Sequence, residues 1–115
     1  MDLDLAAVEV ERRRSNWRRD GIAVGPITWR EQGEGWPPTL KTDRAEIRDA
    51  DSIGIALSKD RQEGEVVLFK GGWCDFSYWS GRSTDEPEQG APGYPSAMTV
   101  DGFGEVLDRL AACFL

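Results

Sequence analysis

The stretch EVVLFKGGWCDFSYW, Glu65–Trp79, decides how this chain folds. Two apolar runs flank Gly71-Gly72, and a glycine pair suits a two-residue hairpin loop because both central positions of a type I′ turn need positive φ. Pairing outward from that loop sets Lys70 opposite Trp73, Phe69 opposite Cys74, Leu68 opposite Asp75, Val67 opposite Phe76 and Glu65 opposite Tyr78. Val67, Phe69, Cys74, Phe76 and Tyr78 then form the expected core face. Val66, Leu68, Lys70, Trp73, Asp75, Ser77 and Trp79 share the other face, which is neither cleanly apolar nor cleanly polar. Both faces carry aromatics, so the roles swap if the rest of the chain packs on the opposite side.

Before the hairpin, SIGIALS alternates Ile53, Ile55 and Leu57 with Ser52, Gly54, Ala56 and Ser58, a period of two that predicts a strand with a close neighbour. Further upstream, IAVGPITW (Ile22–Trp29) combines β-branched residues with a proline, as an edge strand or irregular extended segment does. A short extended piece is expected around Thr39–Thr42 and a bend at EIRDAD.

The ends are helical. Leu3, Ala6, Ala7, Val10 and Trp17 fall on one side of a 3.6-residue period, predicting an amphipathic helix over Leu3–Arg19. Asp2 or Asp4 caps its start and Asp20-Gly21 supplies the left-handed stop. Phe103, Val106, Leu107, Leu110 and Phe114 repeat at helical spacing, with Thr99 as N-cap and Met98 stapled to Phe103. Between hairpin and helix, GRSTDEPEQGAPGYP (Gly81–Pro95) has the composition of a long loop. Helix, strands joined by short turns, loop, helix: that order contains no βαβ alternation. It predicts one α+β domain over 1–115, an antiparallel sheet of about four to five strands with the N-terminal and C-terminal helices packed on one face.

Composition excludes much chemistry. Histidine is absent, which removes the commonest general base and metal ligand together. Cys74 and Cys113 stand 39 positions apart with no CxxC, so both are expected to be buried free thiols rather than a zinc or redox site. No glycine-rich phosphate loop or EF-hand pattern occurs. The chain is therefore expected to be no enzyme and to use no cofactor and no metal. Its net charge of -7 repels a phosphate backbone, so nucleic acid is not an expected partner, and the basic run ERRRSNWRR is a solvated helix face. The first residues carry acids where an export signal needs bases, and no apolar run is long enough for a membrane, so a cytoplasmic location is expected.

Five tryptophans are more than a domain of this size easily buries, and tryptophan with tyrosine marks binding hot spots. Trp17 is assigned to the core. Trp73 and Trp79 on the mixed face, Trp36 held before two prolines, and Tyr94 are the candidate contact aromatics. Asp75 sits mid-strand, where aspartate is disfavoured, and joins them. Asp85, Glu86 and Glu88 in the long loop would steer a basic protein partner.

Three segments, ERRRSNWRRDGI, VVLFKGGWCDFSYW and DGFGEVLDRLAACF, resemble the TriTu-type bacterial immunity proteins, with Phe69, Gly72 and Asp75 filling the hairpin positions of that pattern. The similarity covers about two thirds of the chain, and Ser83–Pro95 departs from it. It implies an antitoxin that binds a cognate polymorphic toxin, of the kind delivered by type VI secretion. The toxin would be an ADP-ribosyltransferase that modifies elongation factor Tu, blocked at its active site or in its access to the target, in a one-to-one complex with a monomer. Two further classes stay open: a small-ligand binding module or histidine-free enzyme using the Trp73 and Trp79 face as a pocket, and an adaptor subunit of a secretion-type assembly.

Overall fold

The computed structural model describes residues 1–115 and has the order α1 (Leu3–Arg19), β1 (Ala23–Val24), β2 (Thr28–Glu31), a 3-10 turn (Arg44–Glu46), β3 (Ala50–Lys59), β4 (Gln62–Phe69), β5 (Cys74–Trp79), β6 (Glu88–Gly90) and α2 (Val100–Ala112). Every strand pairing is antiparallel. The sheet runs β1-β3-β4-β5-β6, and β2 pairs with β3 beyond β1 on the same edge. Six strands thus occupy five places, because Gly25-Pro26-Ile27 interrupts what would otherwise be one edge strand; proline has no N–H to give a ladder. No helix is long and apolar enough to cross a membrane.

Local signals set the helix ends. The Asp2 carboxylate accepts from the Leu5 N–H at 3.0 Å, and Gly21 at φ 82° turns the chain out of α1. The Thr99 hydroxyl caps α2 by accepting from the Gly102 N–H, and Met98 packs half-buried against the core just ahead of it. Both helices lie on one sheet face. Between them and the sheet are Leu3, Ala6, Val10 and Trp17 from α1, Phe103, Val106, Leu107 and Leu110 from α2, and Ile53, Ile55, Leu57, Val66, Leu68, Cys74 and Phe76 from the strands, all buried. Burial of such side chains contributes about 1.5–3 kcal/mol each. The Arg13 guanidinium joins the helices, donating to Asp108 at 2.7 Å and to Glu9 at 2.9 Å. It lies where a side chain on Gly104 would stand.

The hairpin corrects the register expected above. Leu68 pairs with Cys74, Val67 with Asp75, Val66 with Phe76 and Gly64 with Tyr78. The loop has three residues, Lys70-Gly71-Gly72. The Phe69 N–H donates to the Trp73 carbonyl at 2.9 Å, the Gly72 N–H donates back to Phe69, and Gly72 alone has positive φ, 91°. This is the type I turn followed by a left-handed residue that a three-residue hairpin uses. One residue of slip inverts a strand's faces. The β5 assignments of Cys74, Phe76 and Tyr78 therefore hold, whereas Val67 and Phe69 leave the core and Val66 and Leu68 enter it.

Two smaller corrections follow. The segment 81–95, expected to be loop throughout, contains β6, which pairs Phe76 with Gly90 and Tyr78 with Glu88. Cys74 is buried, but Cys113 is the half-buried C-cap of α2 rather than a fully buried thiol.

Candidate functional site

With both helices on one side, the opposite face of the sheet is left without a helix, and alternation decides what it shows. Rows of side chains cross it from strand to strand. The first is Ala23, Ser58, Glu63 and Trp79; the second is Ala56, Glu65, Ser77 and Gln89. A third holds Thr28, Gly54, Val67 and Asp75, and a fourth Arg30, Ser52 and Phe69, with Trp73 beside Phe69 across the turn. Small residues on β1 and β3 make one side of this face low, while β4 and β5 supply the carboxylates and rings.

The fourth row ends in an aromatic platform. The Phe69 and Trp73 rings stack with centroids 4.4 Å apart, and Tyr94 meets Trp73 edge-on at 5.9 Å. The chain after β6 wraps the hairpin loop to bring Tyr94 there: the Cys74 N–H donates to the Pro92 carbonyl and the Met98 N–H to Gly72. Tyr94 is 70% exposed, while Phe69 and Trp73 are half-buried.

The first two rows floor an open trough of about 690 Å³ between β1 and the segment around β6, lined among others by Ala56, Glu63, Glu65, Ser77 and Trp79. Trp79 is fixed at its edge because its indole Nε1–H donates to the Asp85 carbonyl at 3.2 Å. The Asp85 carboxylate in turn accepts from the Ser80 hydroxyl at 2.6 Å. Glu63, Glu65 and Asp75 are exposed, and none of the nine ion pairs in the chain reaches them.

Of the residues singled out from sequence, Trp73, Asp75, Trp79 and Tyr94 are brought together on this face. Asp85 belongs to it as the brace of Trp79, and Glu86 stays exposed in the neighbouring loop. Glu88 points to the other side, beside Tyr78 in the β6 register, and pairs with Arg109 of α2 at 2.9 Å. Trp36 is 87% exposed in the loop after β2, at the sheet edge opposite β5 and β6 in strand order. Glu63, Glu65 and Phe69 also lie on this face, outside the set expected from sequence. The usable signal was the acidic alternation of Glu63 and Glu65 with Gly64 and Val66, which marks odd positions of β4 as outward.

Buried chemistry is sparse. Burial, with the Asp75 carboxylate adding to it, pushes the Cys74 thiol up to about 12, so it is not a nucleophile near neutrality. No group of three or more Cys, Asp or Glu side chains is placed to hold a metal ion. Compared with protein-family models, with curated proteins and with solved structures, the chain matches none.

Proposed function

We propose that this protein is a binding module that engages a basic protein partner through the helix-free face of its sheet. The observation that carries this is the composition of that face. Four aromatic rings (Phe69, Trp73, Trp79 and Tyr94) share it with three carboxylates (Glu63, Glu65 and Asp75) that have no cation of their own. Half-buried rings that keep one surface open supply anchors for an interface, and uncompensated charge supplies steering and register.

The resemblance of the hairpin and terminal helices to TriTu-type immunity proteins gives this partner a class: a toxin domain with ADP-ribosyltransferase activity, which the protein neutralises by occupancy rather than by chemistry. A histidine-free chain with a protonated buried thiol is in keeping with a non-enzymatic role. The test is a titration of the purified polypeptide encoded directly upstream, with its NAD turnover followed in parallel. A one-to-one complex that stops turnover is expected. Absence of a complex overturns the proposal.

A small-ligand module is the second reading, favoured only by the trough beside Trp79. It predicts saturable quenching of tryptophan fluorescence by a metabolite.

A further inference from the structure

We infer that the trough takes an extended basic segment of the partner, with one arginine or lysine side chain seated against the Trp79 ring between Glu63 and Glu65. This rests on the reading of the face as a protein-binding surface and deepens it by naming what the trough accepts.

Glu63 and Glu65 stand two residues apart on β4 and project from the same face, so their Cβ atoms are separated by about 7 Å. Their cross-strand neighbours are Ser58 and Trp79 for Glu63, and Ala56 and Ser77 for Glu65. None of these is a cation. Like charges held this close on one face oppose each other, and neither Glu63 nor Glu65 has the cation that Glu9 and Asp108 find in Arg13, Asp4 in Arg44 or Glu88 in Arg109. The uncompensated pair lies in the one trough whose wall is a fixed indole.

Geometry selects the occupant. A guanidinium or ammonium over an indole face gains a cation–π contact, and a carboxylate on either side completes its neutralisation. Small side chains at Ala23, Ser58, Ala56 and Ser77 leave backbone-level space for the chain that carries the cation. At about 690 Å³ the trough exceeds what a lone ion fills. The aromatic platform at Phe69 and Trp73 lies at the other end of the strands, so its contribution to partner binding is separable from that of the trough.

The experiment uses the intact, isotope-labelled protein and two probe peptides, (Gly-Arg)4 and (Gly-Glu)4. The expected result is that (Gly-Arg)4 shifts the Trp79 indole resonance and the amides of Ala56, Ser58, Glu63, Glu65 and Ser77. The Glu63→Gln, Glu65→Gln double variant, altered only at exposed positions, weakens this at least about tenfold, and (Gly-Glu)4 has no effect. Shifts spread evenly over the other exposed acids, such as Asp20, Asp101 and Glu105, or shifts unchanged in the double variant, overturn the inference. A partner titration separates the two levels. If Trp73→Ala abolishes the complex and the double variant leaves it intact, the binding face stands and the trough assignment falls. If neither substitution matters, both fall.

Discussion

The rings of Phe69 and Trp73 stack at 4.4 Å, 21° from parallel, across the turn that joins β4 to β5. The pair is half-buried, so it serves the fold through one surface and is open to a partner through the other. Trp73→Ala is expected to lower folding stability by about 0.5–1.5 kcal/mol in urea denaturation. Its effect on partner affinity should be larger, about 2 kcal/mol or roughly thirtyfold by calorimetry.

Gly64 tests the packing of α2 on the sheet. A β-carbon there would stand 2.7 Å from Leu110 Cδ1 and 3.1 Å from the Phe114 ring, both in the core. Gly64→Ala should cost about 1–3 kcal/mol of stability in urea titration. On β6, the nearest atom to a new β-carbon at Gly90 is 4.0 Å away, so Gly90→Ala should stay within about 0.5 kcal/mol.

The proposed binding mode makes charge on the face govern encounter. The Glu63→Lys, Glu65→Lys pair should slow association with a basic partner in stopped-flow measurements, and the difference should shrink as salt rises. Glu88→Gln, which removes only the exposed pair with Arg109, should leave the on-rate unchanged.

Alkaline stability reports on Cys74. Its thiol is raised from the ordinary 9.0 to about 12 in the fold, first by burial and then by Asp75. Below pH 9 both folded and unfolded thiols keep the proton, and the full stabilisation is present. Between about pH 9 and 12 the unfolded thiol ionises first, so stability falls as pH rises. Burial raises Cys113 and Tyr78 as well, and they act in the same sense. The slope of unfolding free energy against pH in this window should be shallower in Cys74→Ala than in the parent. In the native protein at neutral pH, a thiol reagent should modify Cys113 before Cys74.

How much of this could be read beforehand follows from the range of each interaction. The ends of α1 and the start of α2 are fixed by caps within three residues, Asp2 to Leu5 and Thr99 to Gly102, and the sequence displays them directly. The hairpin register is not local in that way. Gly71-Gly72 serves a two-residue loop or the last two places of a three-residue one, and the choice is made by packing Val66 and Leu68 under the helices. Strand β6 carries Glu88-Gln89-Gly90, with no apolar alternation, and exists because β5 offers an edge. The site is legible on β5 and the residue before it, where Trp73, Asp75 and Trp79 keep their parity. It was lost on β4, where the slip hid Glu63, Glu65 and Phe69. Trp36 before two prolines and Glu88 in an acidic segment are conspicuous locally, but local context says nothing about the face a residue joins.

The most direct measurement is an equilibrium titration of the upstream-encoded polypeptide against three forms of this protein: the parent, a Trp73→Ala, Glu65→Lys variant of the helix-free face, and a Leu5→Ser, Arg12→Ala variant of the exposed side of α1. Tight one-to-one binding by the parent and the α1 variant, with loss in the sheet-face variant, is the predicted result. Binding that survives the sheet-face changes, or that fails with the α1 changes instead, contradicts the assignment of this face as the partner surface.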